Sequence, residues 1–199
     1  EKMKILLVNP PIHLPRKFVN YPMFVNLGLL QYAAWLRQNG HTISLWDACY
    51  STTDLKIKEY SDHYWIGDGL AALGKVIKQE APDVVIVANS MYTNLNEPEK
   101  NIFRELFQMI KDSGEGITTI LADCYIGGID YVRYQPDEIL TRDKNIDIIV
   151  VGGAENRLLQ VLEKVKVKGS LRSIKGIAYR AGTSVHSSEF RGHDHIKLD

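Results

Sequence analysis

Short apolar runs alternate along the chain with longer segments in which apolar residues recur every three or four positions. The short runs are rich in Val and Ile, and residues 5–8 and 84–87 are apolar throughout. Strands that are covered by helices on both faces have this composition, as in a parallel sheet. The pattern predicts strands at residues 4–8, 42–46, 83–88, 117–122 and 147–151.

The segments between the predicted strands have helical spacing. Leu27, Leu30 and Ala34 share one face of a helix that ends at Asn39-Gly40, a typical helix stop. The other predicted helices have their apolar stripes within residues 66–77, 102–110, 136–140 and 155–165. Two connections, 9–26 and 48–65, are longer than the usual loops of such a fold, which favours a functional role for them.

Strand and helix alternate five times, which predicts an α/β domain at residues 3–167 with a doubly wound five-stranded parallel sheet. Right-handed crossovers leave two common strand orders, the flavodoxin-like 2-1-3-4-5 and the Rossmann-like 3-2-1-4-5, and we predict the first. Beyond this domain, Gly176–Arg180 and Ser184–Ser188 flank a turn. We therefore expect a C-terminal β-hairpin extension and a polar linker at residues 168–199.

Composition excludes several classes of protein. The 199 residues include 24 basic and 24 acidic side chains, so net charge gives no reason to expect a nucleic-acid or anionic-membrane partner. Cys49 and Cys124 are isolated, which argues against a disulfide scaffold and a structural zinc site. No apolar run is long enough for a membrane span. We expect a cytoplasmic protein with reduced thiols whose natural chain starts at Met3.

A ligand of an open α/β sheet binds beyond the carboxyl ends of the strands. The residues that the sequence places there are small, polar or glycine, and we take them as the candidate cofactor-binding set. They are Asn9, Pro10, Pro11, Asp47, Asn89, Ser90, Thr93, Gly127, Gly128, Gly152, Gly153 and Glu155. Glycine lets a bulky ligand approach the backbone, although the two glycine pairs also fit a reading as tight turns only.

Familiar catalytic motifs are absent from the sequence. It has no G-x-G-x-x-G after the first strand, no G-x-x-x-x-G-K-[ST], no G-x-S-x-G, no H-E-x-x-H and no C-x-x-C. We therefore assign no catalytic residue and no metal ligand. His13 lies where it could reach a ligand but also fits a solvated loop, and Cys124 fits a small buried thiol better than a nucleophile.

Several fragments together resemble the amino-terminal domain of cobalamin-dependent radical SAM enzymes. They are KILLVNPP at 4–11, LGLL at 27–30, AAWLR at 33–37, DA at 47–48, PDVVI at 82–86 and IIVVG at 148–152. IKGIAYR at 174–180 resembles the segment just before the radical SAM barrel of such enzymes. The subgroup that includes anaerobic magnesium-protoporphyrin monomethyl ester cyclase and related iron–sulfur oxidoreductases is the most similar in character.

The resemblance implies that this domain binds cobalamin. Asn9, Pro10 and Pro11 would line the corrin, with Ser90 and Thr93 near its amides or nucleotide tail. The glycines 127 and 128 would lie near the family's Gly-Gly pair, and residues 152–155 stand where the family has Gly-Glu-Gly-Glu. The family's Gly-Gly-x-His after strand four is replaced here by residues 122–125, Ala-Asp-Cys-Tyr.

Other cobalamin proteins supply an axial histidine from a D-x-H-x-x-G motif. Here Asn9 stands where the Asp would be, and His13 follows four residues later rather than two. We therefore predict that, when cobalamin binds, no histidine of this motif occupies its lower axial position.

The radical SAM cluster needs a C-x-x-x-C-x-x-C loop, which two isolated cysteines cannot supply. The [4Fe–4S] cluster and S-adenosylmethionine would therefore bind to a barrel outside this chain, as part of the same polypeptide. We expect a cobalamin-binding module of a methyltransferase or cyclase type of enzyme. Two alternatives stay open: a flavodoxin-like domain with a degenerate site that acts as a docking or regulatory domain, and an FMN or nucleotide binder.

Overall fold

The computed structural model describes residues 2–16, 26–50, 56–89, 102–124, 135–152 and 155–188. Its strands are β1 (Lys4–Asn9), β2 (Ile12–Pro15), β3 (Thr42–Asp47), β4 (Ile57–Glu59), β5 (His63–Ile66), β6 (Val84–Asn89), β7 (Thr118–Asp123), β8 (Ile148–Val150), β9 (Ile177–Ala181) and β10 (Ser184–Ser187). Its helices are α1 (Leu27–Gln38), α2 (Leu70–Glu80), α3 (Ile102–Ser113), α4 (Pro136–Arg142) and α5 (Glu155–Lys166). Within these ranges no helix is both long and apolar enough to cross a membrane.

The main sheet has seven strands in the order β10-β9-β8-β7-β6-β1-β3. Five of them, β3-β1-β6-β7-β8, are parallel, and in chain order they read 2-1-3-4-5. The predicted flavodoxin-like order is therefore confirmed. Because all five strands run the same way, their carboxyl ends form one edge of the sheet.

Helices cover both faces of the parallel sheet. Alternate residues of each strand point to opposite faces, so that Leu7 and Ile86 pack with α1 and α5, whereas Leu6 and Val85 pack with α2, α3 and α4. All four of these side chains are fully buried. The two-sided burial explains the continuous apolar runs in the sequence.

The apolar stripe predicted for α1 lies on the wrong face. Leu27 and Leu30 are 60% and 37% exposed, and Ala34 is exposed too. The buried face instead includes Leu29 and Leu36. Helix α1 is apolar around most of its circumference, so spacing alone could not identify the side that faces the sheet.

The two long connections contain strands that the sequence pattern did not predict. Strands β2, β5 and β4 form a separate antiparallel sheet in that order, which we call the small sheet. Ile12, Leu14 and Ile66 form its apolar cluster. Ile66 therefore belongs to β5 rather than to the second predicted helix. Strands of three or four residues are too short for alternation to distinguish them from loops.

The C-terminal hairpin extends the main sheet. Strand β9 pairs antiparallel with β8, and β10 pairs with β9. Ile174, Ile177 and Tyr179 are buried in the same cluster as Leu158 and Leu162 of α5. The hairpin thus contributes to the core, and the predicted domain boundary at residue 167 stays a prediction.

His41 lies between α1 and β3, and its ring is partly withdrawn from water. Its Nδ1 is buried and has no hydrogen-bond partner within the described ranges. Burial, assisted by the positive charge of Lys166, lowers the pKa of His41 below its usual value. The folded protein therefore holds this ring in its neutral form.

We predict that His41 makes folding stability depend on pH. The unfolded ring takes up a proton below about pH 6.5, whereas the folded ring resists it, so the stability contribution is complete above that pH and is lost as the pH falls through the folded pKa. Urea unfolding between pH 5 and 8 should show this loss in the wild type and a smaller loss in His41→Phe. Identical pH profiles for the two proteins would contradict the prediction.

Candidate functional site

The carboxyl ends of the five parallel strands bring most of the described candidate residues together. Asn9 of β1 lies beside Asp47 of β3, and Asn89 of β6 lies beside Asp123 of β7. Gly152 follows the end of β8 by two residues. We call this row of strand ends and the residues that directly follow them the carboxyl edge.

Asn9 connects two strands and a helix at one side of the carboxyl edge. Its Nδ2 donates to Asp47 Oδ2 at 3.0 Å, and its Oδ1 accepts from Asn26 Nδ2 at 3.2 Å. Asn26 is the N-cap of α1, and its Oδ1 accepts from the backbone N–H of Leu29 at 3.0 Å. The amide of Asn9 is therefore fixed in orientation, because a carboxylate on one side requires the NH₂ group there.

Asp47 is a half-buried acceptor at the end of β3. Burial raises the pKa of Asp47, and hydrogen bonds from the Cys49 backbone, the Asn9 side chain and the Tyr50 backbone oppose that shift. Burial, together with the nearby Asp47 charge, raises the pKa of the Cys49 thiol to about 12. Cys49 therefore stays protonated at neutral pH and is not poised as a nucleophile.

Asp123 forms the corresponding connection on the other side of the edge. Its Oδ1 accepts from Asn89 Nδ2 at 2.7 Å, and its Oδ2 accepts from the backbone N–H of Gly152 at 2.9 Å. Asn89 is fully buried, and Asp123 is 3% exposed. Gly152 has a φ of 74°, a backbone conformation that favours glycine. One carboxylate thus links β6, β7 and the turn after β8.

The first turns of α1 pack closely against the end of β7. The Tyr32 hydroxyl donates to the backbone carbonyl of Asp123 at 2.6 Å. A Cβ on Gly28 would lie 2.4 Å from the carbonyl oxygen of Cys124, so only glycine allows this approach. Cys124 itself is buried, as the sequence suggested, and burial raises the pKa of its thiol well above the usual value.

Helix α5 starts at the far end of the carboxyl edge. Glu155, in its first turn, is 8% exposed, and Arg157 is 7% exposed. The Arg157 guanidinium donates to the backbone carbonyl of Val151. Arg157 therefore ties the first turn of α5 to the residue that follows β8.

The small sheet stands next to the carboxyl edge at the β1 and β3 side. Ala48 donates its backbone N–H to Asn9 at 3.0 Å, and Asp68, after β5, donates its own to Ala48 at 2.8 Å. His13 and His63 of the small sheet pack edge to face, with ring centroids 4.0 Å apart. His13 is therefore part of a packed strand rather than a solvated loop.

The structure brings together most of the candidate residues that it describes, but most of them are buried beneath the surface of the carboxyl edge. We call these buried residues the floor of the site. Asn9, Pro10, Pro11, Asn89, Gly152 and Glu155 are buried, and Asp47 is half-buried. Ser90, Thr93, Gly127, Gly128 and Gly153 lie outside the described residues. Sequence reasoning missed Asn26 and Gly28. Asn26 stands directly before the first helical residue, which is an N-cap signal, whereas nothing in the sequence reveals the close approach of Gly28.

No protein-family model matches the sequence, and no curated protein matches it. Solved structures do match. The radical S-adenosylmethionine methyltransferase TsrM from Kitasatospora setae, with tryptophan and a SAM analogue bound, is 15% identical with a TM-score of 0.63, over 94% of this chain and 30% of that chain. TsrM with cobalamin and a [4Fe-4S] cluster bound is 13% identical with a TM-score of 0.64, over 100% of this chain and 30% of that one.

A second enzyme gives the same result. The cobalamin-dependent S-adenosylmethionine radical enzyme OxsB, with aqua-cobalamin and S-adenosylmethionine bound, is 16% identical with a TM-score of 0.64, over 98% of this chain and 23% of that chain. At these identities the likeness establishes a shared fold. The chain spans less than a third of the length of these enzymes.

The chemistry of the carboxyl edge suits a corrin. A corrin is a broad, largely apolar plate with a rim of amides that donate and accept hydrogen bonds. Leu27 follows Asn26 in the sequence, and Tyr50 lies three residues after Asp47. These two side chains are 60% and 50% exposed and offer apolar surface. Asp47 is half-buried and carries acceptor oxygens, and Gly152, which is buried, adds no side chain above the floor. The described residues therefore fit the group.

We predict that the approach of α1 to β7 limits residue 28 to glycine. In Gly28→Ala the new methyl group would overlap the Cys124 carbonyl, so α1 must shift, at a cost of about 1–3 kcal/mol in unfolding free energy. The measurement is urea unfolding at neutral pH.

Gly69→Ala is the matched control. Gly69 has a φ of −71°, and nothing lies within 4 Å of a Cβ there. This variant should keep wild-type stability within about 0.5 kcal/mol. Equal stability of Gly28→Ala and the wild type would show that the approach of α1 is not tight.

Proposed function

We propose that this chain is a cobalamin-binding module, with the corrin lying across the carboxyl edge. The observation that carries the proposal is that the fold matches cobalamin-bound structures over 98–100% of the chain. The parallel sheet has the strand order expected for ligand binding at its carboxyl ends, and that edge offers both apolar surface and hydrogen-bond acceptors.

Different residues have different roles in binding the corrin. Leu27 and Tyr50 contact its apolar face, Asp47 accepts from its amides, and Gly152 belongs to the floor beneath it. Asn9 holds Asp47 in place, so its role is to position an acceptor. We extend the proposal to Pro10, Pro11, Asn89 and Glu155 as the floor, and to Ser90, Thr93, Gly127, Gly128 and Gly153 as further contacts.

The chemistry of the whole protein follows from the cofactors that the module would serve. Bound cobalamin supplies a reactive cobalt centre, while the protein supplies position and surroundings. The [4Fe–4S] cluster and S-adenosylmethionine would be held by a radical SAM barrel in the same polypeptide, since Cys49 and Cys124 cannot form the cluster motif. The reaction would be of a methyltransferase or cyclase type.

We also propose that His13 does not occupy the lower axial position of the cobalt. The ring of His13 packs against His63, and its backbone pairs with Trp65 in the small sheet. Tyr60 stacks on the His63 ring, with the two ring centroids 4.5 Å apart. These contacts occupy His13 within the small sheet.

We predict saturable binding of hydroxocobalamin to the purified chain. Titration should give a shift in the visible absorbance of the cofactor and a rise in the thermal unfolding midpoint, because a ligand that binds only the folded state stabilises it. His13→Ala, the matched variant for the axial position, should bind with an unchanged spectrum.

Three other outcomes would contradict these statements. A flavin that co-purifies, with no response to hydroxocobalamin, would favour a flavin or nucleotide binder. No response to either ligand would favour a docking domain with a degenerate site. A spectrum that changes only when His13 is removed would contradict the proposal about the axial position.

A further inference from the structure

We propose that Asp123 is the positioning residue of this site, a role that rests on the proposed function. Its carboxylate sets the spacing between the end of β6 and the turn after β8. A ligand that lies across the carboxyl edge would rest on the chain segments that follow these two points. Asp123 would therefore control ligand affinity without itself touching the ligand.

Asp123 is joined by hydrogen bonds to three other parts of the fold. The two carboxylate oxygens accept from different elements, Asn89 of β6 and the backbone of Gly152, at 2.7 and 2.9 Å. The backbone carbonyl of the same residue accepts from Tyr32 of α1. With 3% of Asp123 exposed, these bonds are screened little by water, and hydrogen bonds to a buried charged group are the strong ones.

The groups that bond to the Asp123 side chain stand directly before candidate contacts in the chain. Asn89 is the last residue of β6 and directly precedes Ser90, the first of the candidate contacts Ser90 and Thr93. Gly152 directly precedes Gly153, the candidate contact after β8. Asp123 thus holds the starting points of two candidate ligand segments at once, from a strand that lies between them in the sheet.

The two hydrogen bonds to the Asp123 side chain require two acceptor oxygens on that side chain. Asn at position 123 keeps the volume but offers a single oxygen, so it cannot accept from both Asn89 Nδ2 and the Gly152 N–H. Exchanging the pair, Asn89→Asp with Asp123→Asn, restores both bonds. The new carboxylate at 89 accepts from the amide at 123, whose oxygen remains for Gly152.

The chain contains a matched control at the opposite edge of the sheet. Asp147, just before β8, accepts from the Thr119 backbone N–H of β7 at 2.8 Å, and from Lys111 Nζ at 2.6 Å. Like Asp123, it joins β7 to the β8 segment through a carboxylate. It does so at the amino ends of the strands, where the proposal places no ligand.

The experiment compares wild type, Asp123→Asn, the exchanged double variant and Asp147→Asn. Hydroxocobalamin titration gives Kd, thermal unfolding gives stability, and NMR hydrogen exchange reports the Gly152 amide. Asp123→Asn should raise Kd about tenfold or more, because binding must then restore the arrangement that the carboxylate held. It should also speed Gly152 exchange, because at best a neutral oxygen replaces the charged acceptor. The exchanged variant should recover Kd and part of the Gly152 protection. Asp147→Asn should lose stability but keep Kd within about twofold of the wild type.

Other outcomes would overturn either the positioning role of Asp123 or the proposed function. An unchanged Kd in Asp123→Asn, an equal loss of affinity in Asp147→Asn, or no recovery of Kd in the exchanged variant would overturn the positioning role. If the wild type does not bind hydroxocobalamin, the proposed function fails. Gly152 exchange then decides the role of Asp123 alone: equal rates in the wild type and Asp123→Asn would overturn it, and faster exchange in the variant would support it.

Discussion

The buried carboxylate of Asp123 accepts hydrogen bonds from β6 and from the turn after β8, while its backbone carbonyl accepts from α1. A buried charge of this kind is costly unless its oxygens are paired, so the strands and the helix around it are held in one arrangement. Asn9 does the same at the other side of the edge, where it links β1, β3 and the N-cap of α1. Helix α1 connects the two sides of the carboxyl edge. Its N-cap Asn26 donates to Asn9, and its Tyr32 hydroxyl donates to the backbone carbonyl of Asp123.

This arrangement separates the floor of the site from its contact surface. The polar groups of the floor are buried and bond to Asp47, Asn26 and Asp123, so they give shape and rigidity. The residues that reach the surface are Leu27 and Tyr50, which are exposed, and Asp47, which is half-buried. A site that is rigid and mostly apolar, with few polar contacts, suits a large rigid ligand, because little ordering is needed on binding.

The strand order and the two-sided burial could be predicted from the sequence, since runs such as residues 84–87 need helices on both faces. The floor could be predicted only in part. Asn9 and Asp47 were found because strand ends meet at one edge, but their bond to each other and to Asn26 depends on side-chain orientation. The close approach at Gly28 involves a residue 96 positions away, and the inner face of α1 could not be chosen because both of its faces are apolar. The small sheet escaped prediction because its strands have only three or four residues.

The central claim is that the ligand lies on the carboxyl edge, and amide hydrogen exchange with and without saturating hydroxocobalamin tests it most directly. We expect new protection at the backbone amides of Cys49, Tyr50 and Gly152 and in the first turn of α1. The amino edge, where Lys4, Thr42, Ser44 and Glu80 line a groove, should exchange as before. Protection confined to that groove, or spread evenly over the sheet, would contradict the claim.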